Sequence, residues 1–242
     1  MSRQANIDEE VNGRISKASS AFGRLRRNVW DRRGIKLSTK LKVYQAVVIT
    51  TLLYACETWT VYRRHAKQLN HFHTTCLRRL LKIHWQDHTP DTEVLSRANM
   101  PSIHTLIEKA QARWAGHVRR MNDSRIPKML LYGELAEGKR LAGRPKLRFK
   151  DSLKATLKSL SIPVENWEDA ATDRHQWRRL VHQGAELAER RRISLAVSKR
   201  EARKAREKNP SLQPLPEHKC DVCGRCFRAR IGLVSHTRTH KD

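Results

Sequence analysis

The feature that most constrains this chain is an apolar residue that returns every third or fourth position through its first thirty residues. Ile7, Val11, Ile15, Ala18, Phe22, Leu25 and Val29 are separated by steps of 4, 4, 3, 4, 3 and 4. An α-helix can bury such a stripe on one face, whereas a strand would send its members to opposite faces. Asp8, Glu9 and Glu10 fall in the first turn, where negative charge complements the positive end of the helix dipole. The same period returns at Leu41, Tyr44, Val48 and Leu52, with Ser38 as a candidate N-cap. It returns again at Ala66, Leu69, Phe72, Cys76, Leu80 and Ile83, and at Ile103, Leu106, Ala110, Trp114, His117 and Met121. Gly34 is expected to stop the first helix, Asp91 to cap a short helix ending before Asn99, and Pro101 to mark the next boundary. Periodicity leaves residues 54–61 open between a helix end and a short strand. The chain reads as mainly α.

Composition narrows the partner class. Among 242 residues, 50 Lys and Arg face 24 Asp and Glu, a formal charge of +26 that is spread along the whole chain. Such a charge attracts polyanions, so RNA or DNA is the leading partner. A hydrophobic fraction of 38% implies a thin core. The longest mostly apolar run, residues 46–56, is too short for the roughly 20 residues of a membrane helix. An apolar signal-peptide region is missing beside the N-terminal acids, so secretion is not expected. Five cysteines, two apart (Cys56, Cys76) and three crowded (Cys220, Cys223, Cys226), do not make a disulfide framework and suit a reducing compartment. Membrane and secreted classes are therefore set aside. The expected location is the nucleus or a cytoplasmic ribonucleoprotein.

One motif carries sharp chemistry. Cys220-x2-Cys223-x12-His236-x3-His240 supplies two thiolates and two imidazoles, a closed tetrahedral shell for one structural Zn²⁺. With Phe227 and Leu233 between the ligand pairs, it resembles the C2H2 zinc finger over about a tenth of the chain. The resemblance implies a hairpin for the Cys pair, a helix for the His pair, and a miniature core of Phe227 and Leu233. His218 stands where that family usually has an aromatic residue. Cys226 reads as a bystander that could exchange with Cys223. Counting back from His236, the base-reading positions fall on Ala229, Gly232 and Ser235, none of which can make bidentate base contacts. Arg225, Arg228, Arg230 and Arg238 can meet phosphates instead. So can Arg190, Arg191, Arg192, Lys199, Arg200, Arg203 and Lys204, which belong to a stretch, residues 190–208, with nine basic and two acidic residues. Its weak apolar period leaves it either a solvated helix or a segment ordered on binding, and Pro210, Pro214 and Pro216 stiffen the linker after it.

Other signals are weaker. His71, His73, Cys76, His84 and His88 fit no tetrahedral spacing and read as a helix face with incidental histidines. Gly143-Arg144-Pro145-Lys146 resembles an AT-hook core, but Ala142 stands where an Arg is expected, which favours a plain basic turn. Trp59, Trp85, Trp114, Trp167 and Trp177 could stack on bases, although Trp114 lies on an apolar stripe and reads as core. No nucleophile–base constellation, paired catalytic carboxylates or phosphate loop is visible.

A longer resemblance follows from word patterns. Leu41-Lys42-Val43-Tyr44-Gln45-Ala46-Val47-Val48 is followed by Leu52-Leu53-Tyr54-Ala55-Cys56-Glu57-Thr58-Trp59. His73-Thr74-Thr75-Cys76-Leu77-Arg78-Arg79-Leu80 comes next, then Arg113-Trp114-Ala115-Gly116-His117-Val118-Arg119-Arg120-Met121 and Gly143-Arg144-Pro145. Together with the terminal finger, this resembles the region after the polymerase palm in non-LTR (LINE-type) retrotransposon reverse transcriptases, over about residues 6–182 plus the finger. The resemblance implies a thumb-like helical segment (residues 1–60), a post-polymerase helical region (61–182), a basic helix and Pro-containing linker (183–216) and a C2H2 finger (217–242). It also implies that Met1 begins inside a longer reading frame. The family's polymerase motif needs two adjacent Asp, and this chain has no Asp-Asp pair. Polymerase and endonuclease activity are therefore not expected.

The expected fold is a helical bundle, then a basic helix or linker, then a small ββα finger. The expected function is zinc-dependent, non-catalytic binding of RNA or DNA, mostly through phosphates. The alternatives are a protein-interaction module built on the lone finger, and an accessory part of a polymerase completed in trans.

Overall fold

Helix α1 (Asp8–Arg24) follows the first apolar stripe and buries Val11, Ala18, Ala21 and Phe22. A π-helical turn (Arg26–Trp30) extends it to Trp30. The Trp30 indole stacks on Phe22 with ring centroids 5.2 Å apart and donates its N–H to the Phe22 carbonyl at 2.8 Å. Gly34, at φ +86°, then turns the chain through a conformation that side chains resist. Helix α2 (Leu37–Val43) starts two residues earlier than a Ser38 cap would require. Lys36 is the extended N-cap residue, and no side chain caps the helix. A π-helical stretch (Tyr44–Ile49) and α3 (Thr50–Leu52) continue it. Residues 54–61 are neither a helix continuation nor a strand: Ala55, at φ 64°, leads into a 3-10 turn, Cys56–Thr58.

Helix α4 (Arg63–Leu80) follows, then α5 (Asp91–Ala98), which is closed by Asn99 in the left-handed region that Asn tolerates. Next come α6 (Ile103–Arg119), α7 (Ile126–Tyr132), α8 (Phe149–Ser159) and the short α9 (Trp167–Ala170). Helix α10 (Arg174–Lys208) settles the ambiguous basic stretch as helix. These elements come from a computed structural model that describes residues 7–133, 148–208, 218–227 and 229–240. The chain divides into two compact units, Met1–Ile193 and Ser194–Asp242.

The first unit holds two apolar clusters. One gathers Phe22, Trp30, Tyr44, Leu52, Leu69 and Leu77, so segments on both sides of residue 60 share it. The other gathers Leu153, Leu157, Leu160, Trp167, Trp177 and Val181. Helix α6 serves both: Ile103 and Ile107 enter the first cluster, and Ala112, Ala115 and Val118 the second. At the changeover, buried Gln111 donates to the Trp59 carbonyl and accepts from the Thr156 hydroxyl, both at 2.8 Å. A buried amide must be satisfied in this way or destabilise the fold.

Polar contacts fix the ends of this arrangement. Asp8 receives Arg64 at 2.6 Å and His65 at 2.5 Å, which ties α1 to α4. Glu189 on α10 accepts from the Ser102 amide and hydroxyl and from the Thr105 hydroxyl at the start of α6. Burial pushes the Glu189 carboxyl up. The Ser102 and Thr105 donors, with Arg192, outweigh it and leave the group below its ordinary value.

In the second unit, β1 (His218–Lys219) pairs antiparallel with β2 (Cys226–Phe227), His218 opposite Phe227 and Lys219 opposite Cys226. Helix α11 (Arg230–Thr237) and a 3-10 turn (Arg238–His240) complete a ββα unit. The fold is therefore mainly α with a small terminal hairpin, as the sequence implies. Among the described residues, no helix is long and apolar enough to cross a membrane.

Candidate metal centre and cationic surfaces

The hairpin turns tightly enough to bring two thiols together. The Cys220 amide donates to the Arg225 carbonyl at 2.9 Å and the Gly224 amide to the Cys220 carbonyl at 2.8 Å. Gly224 takes φ +73°, which explains a glycine immediately after the second Cys. His236 lies on α11. His240 sits one turn later in the 3-10 turn, not on the helix that the finger resemblance implies for both histidines.

The ligand atoms of Cys220, Cys223, His236 and His240 all lie within 4.8 Å of one another. Cys223 Sγ is 2.9 Å from His236 Nε2, which is 3.0 Å from His240 Nε2. Zinc bonded to sulfur at about 2.3 Å and to nitrogen at about 2.0–2.1 Å spaces its tetrahedral ligands about 3.3–3.8 Å apart. Two soft thiolates and two imidazoles with nearly this spacing fit that ion, and four protein donors leave no open position for water or substrate. Among the described residues this is the one Cys/His/Asp/Glu group able to hold a metal, and Cys226 is not part of it.

The local electrostatics favour the ligand forms. The Cys220 thiol is drawn below its usual range, chiefly by the Cys223 amide. The His236 imidazole is held down by burial first, then by His240 and Arg225. Thiolate and neutral imidazole are the states that bind metal. Phe227 packs against the His236 ring at 4.8 Å between centroids, and Leu233 is half-buried beside this small core. A Cβ on Gly232 would lie 3.4 Å from Phe227, an ordinary van der Waals contact, so packing does not by itself require glycine there.

The predicted phosphate contacts sort into free and engaged groups. Arg190, Lys199, Arg203 and Lys204 are exposed on α10, Arg200 is half-buried, and Arg203 is within 3.5 Å of Glu207. Arg191 donates to the Ser161 hydroxyl at 2.6 Å. Arg192 pairs with Glu108 and donates to the Thr105 hydroxyl, so its guanidinium helps lock α6 to α10. Arg225, Arg230 and Arg238 are exposed on the ββα unit, Arg225 lying over the Phe227 ring at 5.7 Å. Arg228 and Arg144, with the rest of the AT-hook-like turn and the Pro-containing linker, lie outside the described residues.

His73 makes no metal site. It is buried and shares a hydrogen bond of 2.9 Å with the Tyr44 hydroxyl. Of the tryptophans, Trp59, Trp167 and Trp177 are buried, Trp114 is half-buried, and Trp85 is 80% exposed.

Sequence reasoning missed a second cationic feature. Arg113 and His117 on α6 and Arg120 at its C-cap line, with Arg174 and Arg178 on α10, a cleft of about 500 Å³ that has Trp114 in its wall. The available signal was spacing, because residues 113, 117 and 120 share one helix face, as do 174 and 178. Nothing in the sequence pairs those two faces.

No family model matches the chain, and no solved structure does. It is similar to a Caenorhabditis elegans protein described as an uncharacterized transposon-derived protein, with 25% identity over 181 residues. The match covers 71% of this chain and 63% of that protein, less than two thirds of the relative's length.

Proposed function

We propose that the chain is a zinc-stabilised, non-catalytic nucleic-acid-binding region of reverse-transcriptase descent. It grips RNA or DNA mainly through phosphates. The observation that carries this reading is the free cationic surface. Arg190, Lys199, Lys204, Arg230 and Arg238 stand exposed, and no carboxylate is paired with them among the described residues. Cations held apart from carboxylates are available to exchange counterions with a phosphate backbone. The transposon-derived relative supports the ancestry, and the Cys2His2 group supports a C2H2-type structural zinc. A polymerase role finds no support in the sequence, since metal-assisted phosphoryl transfer needs clustered carboxylates and no Asp-Asp pair occurs.

The test is a competition of structured RNA, single-stranded DNA and duplex DNA for the zinc-loaded chain at physiological salt. If ten phosphates are neutralised, affinity for duplex DNA falls with a log–log salt slope of about −9. A slope near zero rejects the proposal.

One observation favours a second reading, a protein-binding finger. Ile231 is 79% exposed and Val222 72% exposed on the ββα unit, an unusual surface for a phosphate clamp. Arg225→Ala with Arg230→Ala separates the two: lost nucleic-acid affinity supports the first reading, unchanged affinity the second.

A further inference from the structure

The cleft between α6 and the start of α10 is built as a site, not left as a gap. Its floor is Trp177, 1% exposed, whose indole N–H donates to the Ala112 carbonyl at 3.0 Å. Gly116 makes this possible, because any Cβ there would overlap the Trp177 ring. Arg120 is anchored by a 2.5 Å bond from its guanidinium to the Ala171 carbonyl at the end of α9. Its charged form is disfavoured by burial first and by Arg174 second, with Asp173 acting the other way, so Arg120 and Arg174 are electrostatic neighbours. Arg113, Arg174 and Arg178 have no carboxylate partner among the described residues, and Glu57 is the one acid in the lining. Asp173 also acts on Arg120 through its charge, while its carboxylate accepts the amides of His175 and Gln176 and so caps its own helix. Four guanidiniums against two carboxylates, Glu57 in the lining and the helix-capping Asp173 beside Arg120, leave a net positive potential that an anion relieves.

We propose that this cleft binds one nucleotide of a single-stranded nucleic acid, with the guanidiniums on its phosphates and Trp114 against its unpaired base. The inference rests on the nucleic-acid reading above and adds the strand type and the residues. Two observations point to a single strand, and a third to its phosphates. A volume of about 500 Å³ lies in the size range of small-ligand sites, not of a duplex-sized groove. Trp114 packs against the second apolar cluster yet still lines the cleft, and a base can stack on it only if it is unpaired. Arginine, not lysine, supplies every long cationic side chain of the cleft, which suits bidentate phosphate contact.

The test uses the full zinc-loaded chain and fluorescence anisotropy with a labelled 12-nucleotide oligouridine and a blunt 12-base-pair DNA duplex. Arg174→Ala with Arg178→Ala is expected to weaken oligouridine binding at least tenfold. The salt slope on the single strand should fall by about 1.4, at 0.7 for each lost contact. Duplex binding should change less than threefold. Both side chains are exposed, so the fold should survive, and an unchanged thermal transition checks this. Lys199→Ala with Lys204→Ala is the charge-matched control and should weaken both ligands alike. Trp114→Leu keeps an apolar side chain in the cluster, removes the stacking surface, and should cost the single strand at least fivefold. Equal losses on both ligands for the cleft variant, no loss on either, or competition by polyglutamate as strong as by oligouridine would overturn the site and leave general nucleic-acid binding standing. Failure of the unmodified chain to bind any nucleic acid would reject both.

Discussion

The helical unit and the ββα unit are held together by different means. The first buries Trp30, Tyr44, Leu69, Leu157 and Trp177 in two clusters and joins them through a satisfied Gln111. In the second, Cys220 is the one apolar residue of the hairpin and α11 that is buried, while Val222, Ile231 and Val234 face solvent. Such a module has too little apolar burial to offset the entropy of ordering its chain, and a metal ion held by the Cys2His2 group would supply the difference. A highly charged chain can thus keep a thin self-sufficient core in one part and borrow stability in another.

The largest effect should come from removing that ion. Chelation, or Cys220→Ser, is expected to forfeit metal-coupled folding of about 10–16 kcal/mol and to unfold the hairpin and α11. The first unit should keep its thermal transition. Cobalt substitution followed by absorption of the tetrahedral thiolate complex, with circular dichroism melting in parallel, reads both halves. Loss of the main transition on chelation would show that the two units do not differ as argued. The converse experiment is Trp177→Ala, which should cost the first unit about 3–5 kcal/mol through lost burial and a cavity. Urea unfolding measures it, and zinc content should stay at one per chain.

The two regions were also unequally legible in the sequence. The candidate metal group was readable because four ligands of two types at fixed spacing admit few alternatives, and the structure gathers the same four. The helices were readable from stripes such as residues 7–29, since Leu, Ile and Phe at a 3.6-residue period announce a buried face. What the stripes hid is how faces combine. In α6 the stripe from Ile103 to Met121 includes His117, which is exposed, and omits Ala112, Ala115 and Gly116, which are buried. Small residues mark close approach of another element, here Trp177, and carry almost no hydropathy signal. The changeover of α6 between two clusters and the arginine cleft beside it follow from that approach. They were not visible because the partner helix lies some sixty residues away in sequence.

Acid should sharpen the contrast in a graded way. Burial lowers His73 to about 4. In the unfolded chain an ordinary histidine titrates near 6.5. As pH falls from about 6.5, the unfolded chain takes up this proton first, so stability is lost progressively until about pH 4 and then levels off. That amounts to about 3 kcal/mol for the whole window. His73→Gln keeps a partner for the Tyr44 hydroxyl and should flatten the slope, as measured by urea unfolding at pH 7, 5.5 and 4.5. Proton competition for metal ligands in the ββα unit is a separate acid effect, which His73→Gln should leave unchanged.

The smallest effect is a pair of identical substitutions, Gly116→Ala and Gly232→Ala. In α6 the new methyl would collide with the Trp177 ring, whose position is fixed by its bond to the Ala112 carbonyl. Overpacking of this kind costs about 1–3 kcal/mol. In α11 the same methyl would meet the Phe227 ring edge at 3.4 Å, an ordinary van der Waals contact. There the gain in helix propensity of Ala over Gly, about 1 kcal/mol, acts in the opposite direction. Gly116→Ala should therefore lower the urea midpoint of the helical unit, and Gly232→Ala should leave metal affinity unchanged or slightly raised. A larger penalty at Gly232 than at Gly116 would mean that the ββα unit is the more tightly packed of the two, and that its stability does not rest chiefly on the ion.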